Sequence, residues 1–344
     1  MKNFINFEDI IETLNVKKFN KANKSKHWQN FIKNKFENIT CDKLENFRNN
    51  GLSDGLDNAR KFHRNDLIKK IDDFKQNIKK LDYEFENILK RFDDKNVGNN
   101  NMYIKIDKYF IDYNQLNVVL VYILIEKYIL KKNNITNNVL EIGAGYGNLA
   151  KMLLLDNNLK YFLVDLPENL LLQIYYLNKN YPGLKIYLNK GEKIDIKELK
   201  NFDLFFFTPE QIHHIDDKIN FDLAINTSSF MEMEKKSINE YFDFVQKKIN
   251  IGGYFFNINR YFKDTVNQKI RFYEYPYDYY WREKYSDVFI GFRRLHCLIT
   301  QRVNDKNNEI KDALKKIKHL SKNHEYPSFI PIWLIKIIRI LKKR

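Results

Sequence analysis

The chain has 344 residues, 44% of them hydrophobic and 15% aromatic, which is enough apolar surface for a buried core and excludes global disorder. Its 59 Lys and Arg exceed its 44 Asp and Glu, for a net charge of +15. That excess points to an anionic partner, but the lysines are dispersed and accompanied by an overuse of Asn and Ile, as A/T-rich codons would produce, so it does not assign nucleic acid. Two cysteines, Cys41 and Cys297, exclude a disulfide framework or a CxxC-type zinc site and fit a reduced, cytoplasmic setting.

The opening "MKNFINFEDIIETL" carries acids where a signal peptide would be apolar. Residues 1–98 are expected to form a helical N-terminal region. Within it, Asp66–Phe92 places Leu67, Ile71, Phe74, Ile78, Leu81, Phe85, Ile88 and Leu89 three and four apart, one apolar face against a charged one. "DDKNVGNNN", Asp93–Asn101, is a loop and a candidate boundary. A second helix runs from Asn114 to about Lys131. It holds the longest apolar run, Val118–Ile125, which is too short to span a bilayer and suits a buried helix.

From Asn137 the pattern changes. Short apolar runs ("VLEIGAG", "KYFLVDL", "DLFFFT", "FDLAINTS", "GGYFFNINR") alternate with amphipathic helical stretches, the mark of β-α-β units and a mostly parallel sheet. "DVFIGFRRL" and "HCLITQRV", Asp287–Val303, are expected to close the sheet as a final pair. "KIYL", Lys185–Leu188, is a further strand candidate without an assigned place. The expected division is a domain at 99–310 followed by a basic amphipathic tail at 311–344. In the tail Trp333, Leu334, Ile337, Ile338 and Leu341 share one helical face, opposite Lys336, Arg339 and Lys343. Such a tail suits either peripheral contact with the inner face of the cell membrane or packing against protein.

The stretch "VLEIGAGYGNLAKMLLLDNNLKYFLVDLPE", Val139–Glu168, carries the chemistry. Gly143 allows a tight turn out of the first strand, Gly145 lets backbone approach a ligand, and the helix that follows offers its first N–H groups. The spacing is GxGxG with Gly147, not the GxGxxG of the dinucleotide fingerprint. Glu141 precedes the glycines and Asp165 ends the next strand, where a carboxylate can accept both hydroxyls of a ribose. A tight turn with Asp165 as a helix cap before Pro167 explains either feature alone, but not the pair so easily.

This pattern resembles motif I and its successor in class I S-adenosylmethionine (AdoMet) methyltransferases. Together with "LVDLPENLLLQIYYL", "FFTPEQ", "FDLAINTSSFMEM" and "GGYFFNINRY", over about Asn137–Tyr261, it is similar to the putative sugar O-methyltransferases of bacterial surface-polysaccharide loci. "FRNNGLSDGLDN", Phe47–Asn58, fits that family more loosely. The resemblance implies a Rossmann-like class I α/β fold with a mostly parallel seven-stranded sheet flanked by helices. It also implies AdoMet as cofactor, and a sugar or glycan hydroxyl as acceptor. The cofactor set it implies is Glu141, Gly143, Ala144, Gly145, Gly147, Asp165, Leu166, Thr208, Glu210 and Asn226. On the acceptor side the candidates are Tyr146, Ser228, Ser229, Asn259, Arg260, Tyr280 and Trp281.

The loop "NTSSFMEM", Asn226–Met233, lacks the two prolines of an exocyclic-amine methyltransferase, and no Pro-Cys pair is present, which counts against nucleobase chemistry and a nucleic-acid partner. A sugar hydroxyl needs a base or a metal. Glu232 is the first candidate base, against a reading as a helix-start acid. His213 and His214 are alternatives, against a polar loop, and His296 is expected in the core. No cluster has metal-ligand spacing, and a divalent metal held by scattered carboxylates is left open. Glu210 either meets an adenine amino group or starts a helix after Pro209. Arg260 pairs a carboxylate or phosphate, or a neighbouring Asp. "RFYEYPYDYYWREKY", Arg271–Tyr285, is read as a cover on the sheet, a sugar-stacking surface or a single-strand nucleic-acid platform. An RNA methyltransferase and a membrane-associated scaffold that keeps the fold without catalysis are the alternative functions.

Overall fold

A computed structural model describes residues 7–14, 26–53, 63–132, 137–264 and 268–324, together with Leu334 and Leu341. These divide into two compact units, the first up to Ile219 (without Lys26 and His27) and the second from Asn220. The fold class is the expected Rossmann-like α/β one, parallel strands alternating with helices.

In the first unit, helix Arg64–Lys79 buries Leu67, Ile71, Phe74 and Ile78, the spacing its sequence sets. The helical pattern expected to run on to Phe92 is interrupted. The N–H groups of Leu81 and Tyr83 both return to the Ile78 carbonyl, and Asp82 takes a left-handed φ of 66°. The chain resumes as Phe85–Ile88 and a 3-10 turn at Leu89–Phe92. The break folds Phe85 and Phe92 back onto Phe74, at ring separations of 6.1 and 5.9 Å.

The loop at Asp93–Asn101 is not a solvated linker. Asp94 is buried and ion-paired with Arg48, whose Nη1 also reaches Asp112 Oδ2 at 3.2 Å. Gln115 Nε2 donates to Asp94 Oδ2 at 2.6 Å, and the Tyr176 hydroxyl donates to the same oxygen at 3.3 Å. Beyond a hairpin of β1 (Ile104–Ile106) and β2 (Tyr109–Ile111), Asp112 caps helix Tyr113–Ile125 in a reciprocal box with Gln115. That helix, continued by a π-turn at Glu126–Leu130, buries the Val119–Ile125 run on every side, as its all-round apolarity demands. No helix among the described residues is long and apolar enough to cross a membrane.

Four parallel strands complete the unit: β3 (Asn138–Ile142), β4 (Lys160–Val164), β5 (Ile186–Leu188) and β6 (Leu204–Phe207), in the order β5-β6-β4-β3. "KIYL" thus lies outside β6, at an edge.

In the second unit, β7 (Phe221–Thr227) runs parallel to β8 (Ile249–Arg260) across helix Lys235–Lys248. A short hairpin, β9 (Phe262–Lys263) and β10 (Ile270–Arg271), follows. The final antiparallel pair is displaced from its expected place. β11 is Trp281–Val288 and β12 is Leu295–Arg302, with β12 also antiparallel to β8. The turn between them is held by Phe289 N–H to Leu295 C=O at 2.9 Å, so "FIGFRR" is the turn and the aromatic stretch supplies the strand. Lys284 is an extra residue on β11, where the register shifts between Glu283 and Tyr285. Among the described residues the principal strands number eight, four to a unit, rather than seven, because Ile186–Leu188 and Leu204–Phe207 are both strands.

Helix Glu309–His324 begins just before the expected tail and buries Ile310, Ala313, Ile317 and Ser321. Of the apolar face predicted beyond it, only Leu334 and Leu341 fall within the described residues, and Leu341 is exposed.

Replacing Arg48 by Met would leave Asp94 and Asp112 buried without their cation. Loss of one partner of a buried charge pair costs about 3–5 kcal/mol. The expected result is an unfolding free energy reduced by about that amount, read as a lower urea midpoint at an unchanged slope.

Candidate functional site

Gly143, Gly145 and Gly147 follow β3 with φ of 77°, 61° and 91°, all in the left-handed region that side chains avoid. The turn is closed by Gly143 N–H to Val164 C=O (2.9 Å) and Gly147 N–H to Ala144 C=O (3.0 Å). A Cβ on Gly147 would lie 3.4 Å from Leu177 Cγ, so this glycine also sets the approach of helix Pro167–Asn180. At Gly145 the space is open, with only Ser53 Oγ near a Cβ position, at 4.0 Å.

Asp165 directly follows β4, the neighbour of β3. Its Oδ1 accepts from the Leu166 N–H and Asn169 Nδ2, each at 2.8 Å. Gln173 Nε2 donates to its Oδ2 (2.9 Å) and to the Gly145 carbonyl (3.0 Å). One amide therefore ties the glycine turn to the acid. Gln173 Oε1 is buried with no hydrogen-bond partner. Burial pushes the Asp165 carboxyl up to about 6, against these donors. Glu141 lies deeper and accepts from the Tyr161 hydroxyl at 2.7 Å, and burial raises it to about 7. Both carboxyls therefore contribute stability that is present below about pH 4 and lost as pH rises through 6 and 7.

Thr208 and Pro209–His214 follow β6, which pairs with β4. Three adjacent parallel strands thus present the glycine turn, Asp165 and this segment at their carboxyl ends, the place where α/β sheets bind ligands. Thr208 caps its segment in a reciprocal box with Gln211, and Glu210 is exposed. The two histidines diverge: His213 is exposed, whereas His214 Nδ1 lies 3.0 Å from Asn189 Oδ1. Tyr146 is buried within the glycine turn, 5.0 Å from the Tyr176 ring, with the Arg48 guanidinium 5.3 Å from its centroid. That surrounding is a packing one for this candidate acceptor residue.

In the second unit Asn226, at the end of β7, is buried, and its Oδ1 accepts from the Phe230 N–H (3.1 Å) and Asn259 Nδ2 (2.8 Å). Asn259 Nδ2 also reaches Asn257 Oδ1 at 2.7 Å, and its own Oδ1 accepts from the Met231 N–H at 3.0 Å. Asn257 Nδ2 in turn donates to the Tyr277 hydroxyl at 3.0 Å. This amide chain fixes the loop that carries Ser228, Ser229 and Glu232. Ser228 takes φ 60°, a strained position for a residue with a Cβ, held by its N–H to the Ile258 carbonyl at 2.6 Å. Glu232, mostly buried, is ion-paired with Lys263 of β9.

Trp281 is fully buried and donates to Gln246 Oε1 at 3.3 Å, so it is core rather than a sugar platform. Phe272 and Tyr275 are likewise buried, and Tyr275 and the half-buried Tyr277 pack with Phe230, Phe242 and Phe255, the covering arrangement among the three considered. Tyr280 is the exposed one, with Arg302 5.4 Å from its ring. His296 is a core residue between the Tyr261 hydroxyl (2.9 Å) and Ser286 Oγ (3.0 Å), its pKa lowered to about 3 by burial. Among the described residues no group of three or more His, Cys, Asp or Glu side chains is placed to hold a metal. Sequence reasoning missed Gln173, Asn169 and Lys263. The Asp165–Asn169–Gln173 spacing of four and four, one face of a helix, was the available signal for the first two.

No family model and no curated protein matches the chain. Solved structures do. An O-methyltransferase family protein from Burkholderia thailandensis is 12% identical with a TM-score of 0.36, over 56% of this chain and 60% of that one. Haemonchus contortus phosphoethanolamine N-methyltransferase 1, in complex with phosphoethanolamine and S-adenosylhomocysteine, is 14% identical with a TM-score of 0.36, over 61% and 50%. The N-methyltransferase NodS from Bradyrhizobium japonicum, in complex with S-adenosylhomocysteine, is 13% identical with a TM-score of 0.33, over 55% and 86%. The chain spans half to three-fifths of the length of the first two. Likenesses this remote concern the chain trace alone.

Gln173→Leu removes both donor bonds of the bridging amide and leaves the Gly145 carbonyl without that partner. The expected cost is about 1–3 kcal/mol in chemical unfolding, a loss that Gln173→Glu does not restore because it brings a second carboxylate to Asp165.

Proposed function

We propose that the protein is an AdoMet-dependent O-methyltransferase acting on a sugar hydroxyl of a bacterial surface glycan or its nucleotide- or lipid-linked precursor. The observation that carries the cofactor reading is the Gly145–Gln173–Asp165 bridge, which holds a side-chain-free turn beside a carboxylate at the ends of neighbouring strands. The residues fit such a group. Gly145 leaves room for close approach, Gln173 Oε1 is an unused buried acceptor, and the carboxylate suits a ribose diol. Gly143, Ala144, Gly145 and Gly147 would border the amino-acid end, with Asp165 and Leu166 at the ribose and Thr208 and Glu210 toward the base. Glu141 would act from behind, holding β4 through Tyr161. Bound AdoMet supplies a methyl group on a cationic sulfur.

On the acceptor side, Glu232 takes the hydroxyl proton as the oxygen attacks, and Lys263 orients its carboxylate. Ser228, Ser229 and Tyr280 are the acceptor contacts, on a loop whose strain the Asn226–Asn259 pair maintains. The sugar assignment rests on the family resemblance and on a loop without the prolines of nucleobase enzymes.

Calorimetric titration with S-adenosylhomocysteine tests the cofactor reading, with NADH as control. Micromolar affinity for the first alone is expected, and Asp165→Asn should weaken it about ten- to a hundredfold through loss of a charged acceptor. A diol donates to carboxylate rather than to carboxylic acid, so wild-type affinity should rise with pH through about 6 and level off above it. Absence of binding to either ligand would overturn the proposal. Glu232→Gln should keep the cofactor affinity and lower turnover by about 10²- to 10⁴-fold with nucleotide-sugar acceptors. An unchanged rate would remove Glu232 as the base.

A further inference from the structure

The turn between β11 and β12 gathers positive charge. Arg260, the last residue of β8, lies in register with Leu295, the first of β12. Arg293 and Arg294 immediately precede Leu295, and the Tyr261 N–H donates to the Arg294 carbonyl at 3.1 Å. The turn therefore lays two arginines against a strand end that already carries a third. The Arg260 guanidinium stands 5.9 Å from the Phe292 ring of the same turn. All three side chains are half-buried, and the Nε atoms of Arg260 and Arg294 are fully buried without a hydrogen-bond partner.

Among the described residues, no carboxylate is ion-paired with Arg260 or Arg294. Asp287, at the end of β11, turns its Oδ1 to the Val288 N–H at 2.7 Å. His324, from helix Glu309–His324, stacks on Tyr261 at 5.3 Å, and an imidazole brings no negative charge in either protonation state. Burial, followed by repulsion from Arg260 and Arg293, holds Arg294 below its ordinary value. Buried donors without acceptors and closely placed like charges both raise the free energy of the ligand-free fold. An oxyanion relieves both at once, because a guanidinium fork matches phosphate or carboxylate with paired N–H bonds. The place also suits an acceptor. Asn259, next to Arg260, accepts from the Met231 N–H and so joins this strand end to the loop of Glu232.

We propose that Arg260 and Arg294 form an oxyanion-binding site that holds a phosphate or carboxylate group of the acceptor. The acceptor would then be an acidic sugar or a sugar carried on a phosphate, rather than a neutral one. Only the word acceptor rests on the methyltransferase reading; the anion site does not.

The test is calorimetric titration of the full chain with inorganic pyrophosphate and, separately, with glucuronate. It is run on the wild type, Arg260→Gln and Arg294→Gln, with melting temperatures recorded for each. The wild type is expected to bind one of the two probes, which tells a phosphate source from a carboxylate source. Each variant should weaken that binding about tenfold or more. Ligand-free Arg294→Gln should melt no lower than the wild type, since it sheds repulsion, and should lose the rise that the probe gives the wild type. Arg294→Lys, which keeps the charge but not the fork, should bind several-fold more weakly while remaining folded. Failure of both probes to bind at millimolar concentration overturns the proposal, as does binding that the variants leave unchanged. If S-adenosylhomocysteine does not bind while pyrophosphate binding still responds to both arginines, the methyltransferase reading falls and the anion site stands.

Discussion

A charge taken out of water must meet an opposite one, and in the first unit that requirement is satisfied at Arg48. Its guanidinium holds Asp94 and Asp112, which are 18 residues apart in the chain and cap or anchor different elements. Gln115 and Tyr176 complete the coordination of Asp94 from two further helices. The same guanidinium lies against the Tyr146 ring, within the glycine turn. Lys151, on the helix after that turn, is buried as well and donates to the carbonyls of Arg91 (2.7 Å) and Asp93 (2.9 Å). The N-terminal helices are thus bonded to the segment that shapes the candidate cofactor site, and their packing sets its geometry.

The second unit solves a different problem. At the ends of its parallel strands the buried polar groups are uncharged amides, linked Asn226–Asn259–Asn257 and closed by the Tyr277 hydroxyl. An amide offers donor and acceptor at once, so a chain of them can cross a buried strand end without a net charge. Phe230, Phe242 and Phe255 pack beneath it, with Phe230 and Phe242 5.5 Å apart. The loop with Ser228 and Glu232 is held by backbone bonds to this frame.

The glycine turn and Asp165 were legible in the sequence because each states a local demand, left-handed backbone at three positions and an acid closing a strand. The helix Tyr113–Ile125 was legible from its apolar run and cap. The partners were not. Arg48 meets Asp94 across 46 residues, and Lys263 meets Glu232 across 31, separations that no periodicity reports. The aromatic segment misled in part, because a stacking surface and a core cover share one composition. Only the register of β11 against β12 puts Trp281 inside and Tyr280 outside. A three-residue strand such as β5 gives too short a pattern to place.

One edge strand of each unit, β5 in the first and β11 in the second, bears on how the protein behaves when crowded. β5 is only three residues long, and β11 alternates exposed Arg282, Lys284 and Asp287 with a bulge at Lys284. A sheet edge is an open template for pairing with another chain, and short length, charge and a bulge each spoil it. For a chain this rich in β-branched and aromatic residues, these two edges are built-in protection against aggregation through strand addition.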